Sequence, residues 1–414
     1  MRIGILTYHC PPNFGAQLQA ISTIGYLKRM GHEPIVLNWY AEDLEEMYSH
    51  RIPEEQVACH AEFTEEVMPL SVRCRHEAEL VAEIDKLDLD AIVEGSDALF
   101  KFVPFKNRSV FRKRYFKRIE IFQPLSCELM DENPFFGHFL KKLIRPIPTS
   151  VYAVSSQNCP YHLMARSERK RMAEGLSSYR LITVRDSWTK GMIEKITGRK
   201  DVEIYPDPVF SFNQNCYLSI PTKDKVIAKY GLNENYVLLS FSDWYCKSEY
   251  VKSIADAVEE NGFQAVALPM PEKLFDGGIE KKIGLPISPL DWYALIIHSK
   301  GYIGERMHPI VVCLHNAVPF FCFDEYGTHV RKSFFSKEMV YNPESSKTYL
   351  IVKDADLLDN LYLYQGGAPR PAPTNVIDSL LSFDIEKCRH FSNKKQKEYE
   401  TGMSVVLQSF KFYE

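Results

Sequence analysis

Short apolar runs alternate with longer amphipathic segments along most of the chain, and this alternation is typical of parallel α/β proteins. The apolar runs predict strands at residues 2–8, 34–37, 87–97, 151–156, 181–184, 204–209, 236–241, 265–268, 301–304 and 318–323. Apolar residues at helical spacing predict helices at residues 17–29, 165–176, 188–196, 247–260, 290–298 and 378–412, and residues 41–85 are also predicted to be largely helical. Each half of the chain therefore predicts a series of β-α-β units of the Rossmann type.

Two such series predict an α/β protein with two Rossmann-like domains that face each other across a cleft, which is a GT-B-type arrangement. We place the N-terminal domain at residues 1–215 and the C-terminal domain at residues 216–380, with the best linker candidate at residues 212–222. Residues 381–414 are predicted to form a C-terminal helix that packs back and closes the structure.

An insertion in the N-terminal domain, at residues 101–145, is rich in basic and aromatic side chains. Residues 101–118 hold eight Lys or Arg and no acidic residue, and Phe and Tyr are interleaved with them. Such a segment suits contact with an anionic membrane surface or with an acidic acceptor. A solvated basic face is the more common explanation, so peripheral membrane contact is one of two open alternatives.

Composition narrows the class of protein. The 414 residues are 45% hydrophobic and 25% charged, as in an ordinary soluble globular protein, and the net charge of −4 gives no reason to expect a nucleic-acid partner. The ten cysteines are scattered, with no C-x-x-C pair and no Cys/His cluster at zinc spacing. We therefore expect reduced cysteines, no metal site and a cytoplasmic protein, with no signal peptide or membrane span.

Cationic side chains follow the predicted strands at two places. Arg185 follows the strand at residues 181–184, and Arg306 and His308 follow the strand at residues 301–304. Pro is favoured at the first helical position, so Pro309 predicts that His308 lies at the helix cap. Guanidinium, imidazole and helix-start N–H groups together attract phosphate and carboxylate. A single His after a strand is more often a cap or a core residue, so this anion site depends on its context.

Small polar residues lie where the strands of the first domain end. Asn13 and Gly15 follow the first strand, and Ser96 and Asp97 follow the strand at residues 87–97. Open α/β sheets bind ligands at the carboxyl ends of their strands, so these residues are candidates for ligand contact. A tight turn or a helix cap would need similar residues. The turn lacks G-x-G-x-x-G, and a dinucleotide fingerprint is therefore absent.

Five segments in this order resemble the polysaccharide pyruvyl transferase family, and the resemblance covers about residues 1–335. The segments are Asn13-Phe14-Gly15-Ala16-Gln17-Leu18-Gln19-Ala20, Gly95-Ser96-Asp97, Arg185-Asp186-Ser187, Asp207-Pro208-Val209 and Arg306-Met307-His308. The resemblance implies transfer of a pyruvyl group from phosphoenolpyruvate to two hydroxyls of a sugar in a polysaccharide or lipid-linked glycan precursor. The products would be a cyclic ketal and phosphate.

The resemblance also implies roles for the candidate residues. His308 would be the acid or a phosphate contact, and Arg306 and Arg185 would hold phosphoenolpyruvate in the second domain. Lys332 or Arg331 would supply a further cation for the donor, although the choice of cation within residues 331–347 stays open. The acceptor would lie in the first domain, near Asn13, Gly15, Ser96 and Asp97. Phosphoenolpyruvate would be a co-substrate, and neither a cofactor nor a metal would be required.

The setting implied by the resemblance is bacterial cell-envelope glycan assembly, at the inner face of the membrane if residues 101–145 contact it. Two rival functions remain. A nucleotide-sugar glycosyltransferase could use the same fold and place a diphosphate at the His308 helix. A non-catalytic glycan-binding or scaffold protein would not need three convergent cations.

Overall fold

The computed structural model describes residues 1–103, 133–243, 245–324, 327, 341–364 and 369–411, together with the backbone of residues 109–114, 117–122, 328–331 and 339–340. Lys332, which was predicted to bind the donor, lies outside these ranges, and so does the side chain of Arg331. Most of the basic insertion, residues 104–132, has no described side chains.

The first half of the chain forms a parallel six-stranded sheet and a hairpin. Its strands are β1 (Arg2–Leu6), β2 (Glu33–Val36), β3 (Ala91–Glu94), β4 (Ser109–Arg114), β5 (Lys117–Phe122), β6 (Thr149–Val154), β7 (Ile182–Val184) and β8 (Glu203–Ile204). The sheet has the order β2-β1-β3-β6-β7-β8, and the antiparallel hairpin β4-β5 lies in the insertion. Strands β1, β3 and β6 are almost entirely buried, as expected for a parallel sheet covered on both faces.

The second half repeats this architecture. Its strands are β9 (Tyr236–Ser240), β10 (Gln264–Ala267), β11 (Lys281–Lys282), β12 (Gly301–Gly304), β13 (Phe320–Asp324), β14 (Thr328–Arg331), β15 (Met339–Asn342) and β16 (Leu361–Leu363). Six of them form a second parallel sheet in the order β11-β10-β9-β12-β13-β16, and β14 and β15 form a hairpin. In each half, the loops at the carboxyl ends of the central strands carry the polar residues discussed below.

Helices cover the faces of both sheets. They are α1 (Phe14–Arg29), α2 (Glu42–Ser49), α3 (Glu54–Val67), α4 (Glu77–Lys86), α5 (Arg166–Leu176), α6 (Ser187–Thr197), α7 (Phe212–Asn215), α8 (Lys223–Tyr230), α9 (Ser248–Glu260), α10 (Pro289–Ile297), α11 (Met307–Asn316), α12 (Lys347–Asp354), α13 (Pro373–Leu381) and α14 (Ile385–Ser409). None of the helices in the described ranges is both long enough and apolar enough to cross a membrane.

Some sequence predictions about elements were wrong in detail. The final predicted helix is interrupted at residues 382–384 and forms α13 and α14. The hairpin β14-β15, which follows β13, was not predicted. The strand predicted at residues 204–209 is reduced to β8 and a 3-10 turn at Pro208–Ser211. Helix α11 begins at Met307 instead of Pro309, so Arg306 is its N-cap residue and His308 lies inside its first turn.

The C-terminal helix α14 contacts both halves, as the sequence predicts. The Ser409 hydroxyl lies 2.8 Å from the hydroxyl of Ser150 on β6, in the first sheet. The Ser392 hydroxyl donates to the carbonyl of His315 on α11, in the second half, at 2.8 Å. The two halves also share one apolar core, which includes side chains from α1, α10, α11 and α14. The two-domain α/β arrangement of GT-B type is therefore confirmed.

Candidate active site

A large cleft lies where the carboxyl ends of the two sheets meet. Its volume is about 410 Å³, which lies within the roughly 300–1,000 Å³ of a small-molecule pocket. Its lining includes the candidate residues Asn13, Gly15, Asp97, Arg306 and His308, and also Lys347. The cleft therefore has the size of a binding site for a small ligand.

His308 projects from the first turn of α11 onto the first turn of α1. A Cβ atom at Gly15 would lie 2.0 Å from the His308 Cγ and 2.2 Å from its Nδ1. Only a residue without a side chain permits this approach, which brings the imidazole of the second half against the backbone of the first. The Nε2 atom of His308 is buried and has no hydrogen-bond partner in the part of the chain that the structure describes.

Arg185, at the end of β7, is held by a buried carboxylate. Its side chain is only 4% exposed, and its Nη1 donates to Asp207 Oδ2 at 2.5 Å. Gln19 Nε2 donates to the same oxygen at 2.5 Å, and the backbone N–H of Val209 donates to Asp207 Oδ1 at 3.0 Å. These bonds fix Asp207, and Asp207 in turn fixes the guanidinium.

The other donors of Arg185 remain available. Among the described residues, its Nε and Nη2 have no hydrogen-bond partner, although both are buried. Asp97 Oδ1 lies 3.9 Å from Nη2, which is close enough for electrostatic attraction but too far for a hydrogen bond. Because buried donors without partners are costly, these two nitrogen atoms suit an anionic ligand.

Lys347 was not among the predicted site residues. It is, however, the last residue of the range 331–347, within which the identity of the donor-binding cation was left open. It is the first residue of α12, after the N-cap Ser346, and it lines the cleft. No hydrogen bond or ion pair joins its ammonium group to any residue in the described ranges. Lys332 and Arg331, which the sequence suggested for this role, lie outside the described side chains.

The pKa values in this group reflect burial and mutual charge. Burial lowers the pKa of His308 to about 4, although Asp97 and Asp207 act in the opposite direction. Burial and the adjacent Arg185 lower the pKa of Lys347 to about 8. Burial opposes the charge on Asp97, but His308, Lys347 and Arg185 outweigh it and lower the pKa of that carboxyl. At pH 7 the Lys347 ammonium is therefore charged, Asp97 is a carboxylate and the His308 imidazole is neutral.

Arg306 lines the cleft, and its environment differs from that of Arg185, which is not among the lining residues of the cleft. Its side chain is 45% exposed, its Nε lies 3.0 Å from Met270 Sδ, and its Nη2 lies 3.4 Å from Glu272 Oε1. The structure therefore brings Arg185, His308 and Lys347 into one group and leaves Arg306 at a more exposed part of the wall.

The residues predicted to bind the acceptor also differ in whether they face the cleft. Asn13 and Asp97 line the cleft, and the Asn13 side chain also caps α1 by accepting from the Ala16 N–H at 3.2 Å. Asp97 has a φ of 109°, a strained conformation for a residue with a side chain, and such strain often occurs at functional sites. The Ser96 hydroxyl instead donates to the Ala153 carbonyl at 2.6 Å and is buried. Ser96 therefore supports the sheet edge rather than facing the cleft.

The fold and the cleft define a two-domain α/β protein of GT-B type in which cationic side chains from both halves come together. The family model for polysaccharide pyruvyl transferase matches residues 13–325. The chain belongs to the polysaccharide pyruvyl transferase family, as its motifs suggested. A search of curated protein sequences gives no match to this chain.

Solved structures with a similar fold include the three that follow. MnaA of S. aureus, solved with UDP, has a TM-score of 0.53 at 10% identity over 100% of this chain and 97% of that chain. A putative UDP-N-acetylglucosamine 2-epimerase of Listeria monocytogenes has a TM-score of 0.52 at 10% identity, with the same coverage. The UDP-GlcNAc 2-epimerase of Neisseria meningitidis has a TM-score of 0.50 at 9% identity over 99% of both chains. At these identities the likeness establishes the fold alone.

Proposed function

We propose that the protein transfers a pyruvyl group from phosphoenolpyruvate to two hydroxyls of a sugar, forming a ketal and releasing phosphate. One observation supports the proposal. The two buried Arg185 donors, the buried His308 Nε2 and the Lys347 ammonium have no hydrogen-bond partner among the described residues, and all three side chains interact electrostatically with Asp97 and Asp207. A compact anion with both a carboxylate and a phosphate would satisfy all three. Phosphoenolpyruvate has this chemistry.

The proposed reaction balances without a cofactor or metal. One proton adds to the methylene carbon of phosphoenolpyruvate, and the first sugar hydroxyl adds to the central carbon. The bond from that carbon to the phosphate oxygen then breaks, and the second hydroxyl closes the ring. The two hydroxyl protons end on the new methyl group and on phosphate. Among the described residues, no group of three His, Cys, Asp or Glu side chains could hold a metal ion.

The proposed roles follow from charge. Arg185, held by Asp207, would bind the carboxylate or phosphate of the donor, and Lys347 would stabilise the departing phosphate. His308 would carry the proton transfer. It is neutral in the free protein because its pKa is about 4, so it could accept a proton from the acceptor hydroxyl. It could act as the acid only after the donor's charge had raised its pKa. Arg306 would contact the donor or acceptor from the open wall.

A titration of the purified protein by calorimetry tests the donor. We expect phosphoenolpyruvate to bind, and we expect Lys347→Met to weaken its affinity by roughly tenfold or more, because a charge-assisted contact is lost. The control is Lys170→Met, since Lys170 is 80% exposed and lies outside the cleft. Binding of uridine or guanosine diphosphate without binding of phosphoenolpyruvate would instead identify a glycosyltransferase.

A further inference from the structure

The wall that the first half contributes to the cleft carries two cations that the proposed donor site does not use. Arg51 follows α2, and Lys101 follows β3. Both line the cleft, where Arg51 is exposed and Lys101 is half-buried. Neither side chain has a hydrogen bond or an ion pair with any residue whose side chain the structure describes.

Two other exposed arginines of the same half are paired with carboxylates. Arg73 Nη2 lies 2.6 Å from Glu45 Oε2, and Arg145 Nη2 lies 3.0 Å from Asp88 Oδ1. These two arginines do not line the cleft. Arg51 and Lys101 differ from them both in position and in having no carboxylate partner among the described side chains.

The acidic residues of the cleft do not balance these two cations. Of the described residues that line it, only Asp97 and Glu272 carry carboxylates. Asp97 lies 3.9 Å from Arg185, and Glu272 lies 3.4 Å from Arg306. Each of these carboxylates thus already faces another cation. The wall that the first half contributes to the cleft therefore keeps an excess of positive charge.

The surroundings of the two cations suit a glycan. Tyr8 and Tyr48 supply aromatic surface, and Gln157 and Asn158 supply amides on the same wall. A few polar groups beside apolar surface can orient a sugar, as in other ligand sites.

We propose that the acceptor carries an anionic group, a phosphate or a carboxylate, and that Arg51 and Lys101 bind this group. The identification of this ligand as the acceptor rests on the proposed function, but the anionic-sugar site does not. The two sources of charge would be a glycosyl phosphate and an acidic sugar.

Calorimetric titration with N-acetylglucosamine 1-phosphate, glucuronic acid and N-acetylglucosamine, each with excess phosphoenolpyruvate, tests this site. We expect at least one anionic sugar to bind more tightly than the neutral one. The double variant Arg51→Gln/Lys101→Gln should weaken that binding by roughly tenfold or more, because two charge-assisted contacts are lost. Arg145→Gln is the matched control and should bind as the unaltered protein does. Tighter binding of N-acetylglucosamine 1-phosphate would indicate a glycosyl phosphate, and tighter binding of glucuronic acid would indicate an acidic sugar.

Three results would overturn the inference. The first is that neither anionic sugar binds more tightly than N-acetylglucosamine, and the second is that the double variant binds the anionic sugar with unchanged affinity. The third is that binding of the anionic sugar is lost in Lys347→Met but kept in the double variant, because the sugar would then occupy the donor site. Failure of phosphoenolpyruvate to bind would count against the proposed function alone. Loss of anionic-sugar binding in the double variant would still support the site in that case.

Discussion

At the residue scale, the contact between Gly15 and His308 gives the sharpest prediction. Ala normally stabilises a helix interior relative to Gly, but at position 15 its Cβ would lie 2.0 Å from the His308 Cγ. Gly15→Ala should therefore displace the imidazole and lower the pyruvyl-transfer rate by about 100-fold, since a shift of about 1 Å has such effects. The measurement is the transfer rate, with circular dichroism as a check on folding.

Gly284→Ala is the matched control for this variant, because a Cβ at that position would meet no atom within 4 Å. It should leave the transfer rate unchanged. Full activity in Gly15→Ala would show that the position of His308 does not matter to the reaction.

The lowered pKa of Lys347 predicts a pH dependence. With a pKa of about 8, the ammonium is charged below pH 8 and loses its proton as the pH rises. Phosphoenolpyruvate affinity should therefore be constant from pH 7 to about 8 and then fall by up to roughly tenfold per pH unit. In Lys347→Arg the guanidinium stays charged, so the decline should disappear. The same decline in both proteins would assign it to another group.

Residue-level reading of the sequence found part of this site. The sequence predicted Arg185, His308 and Asp97, because each follows an apolar strand at an edge where ligands bind. Lys347 was not singled out, since a lysine in a Ser-Ser-Lys-Thr segment has the composition of a solvated loop. Its position against Arg185 depends on packing between the two halves, which local sequence does not encode.

At the element scale, the start of α11 shows how accurately Pro309 predicts the first residue of a helix. Pro309 correctly indicated a helix beginning, but the first four N–H groups of any helix lack intrahelical partners. Pro is therefore compatible with several positions of the first turn, and it occupies the third position here. That shift moves His308 from the cap into the helix and turns it towards Gly15.

The start of α1 allows a structural role to be separated from a functional one. Asn13→Ala removes the cap on the Ala16 N–H and should lower the free energy of unfolding by about 1 kcal/mol, whereas Asn13→Ser should keep that cap. Urea denaturation measures the difference. If the amide also contacts the acceptor, both variants should lose transfer activity. Full activity in Asn13→Ser would show that Asn13 acts only as the N-cap of α1.

At the scale of the whole molecule, the two-domain α/β arrangement followed from the alternation of apolar and amphipathic segments, whereas the strand order of each sheet was not predicted. The hairpins β4-β5 and β14-β15 were also missed, because a short hairpin has a weak periodic signal within a basic or polar segment. The contacts between the two halves were not predicted from the sequence either. Gln56 on α3, for example, donates to the Ile287 carbonyl at 3.0 Å and accepts from the Ile287 N–H at 2.8 Å.

These two bonds predict that Gln56 stabilises the joined halves. Gln56→Ala would leave a buried N–H and a buried carbonyl of Ile287 without this partner, so the free energy of unfolding should fall by about 1–3 kcal/mol. Glu55→Ala is the control, because Glu55 is the exposed neighbour on α3. Equal urea midpoints for both variants would show that the contact adds nothing.

The central claim is that the donor is phosphoenolpyruvate, and transfer from labelled donor tests it most directly. The protein would be incubated with phosphoenolpyruvate carrying a carbon label in its pyruvyl group and with a mixture of lipid-linked and free glycans. We predict labelled glycan and free phosphate in equal amounts, and neither product with Lys347→Met. Intact phosphoenolpyruvate, together with consumption of a nucleotide sugar supplied in a parallel reaction, would contradict the claim.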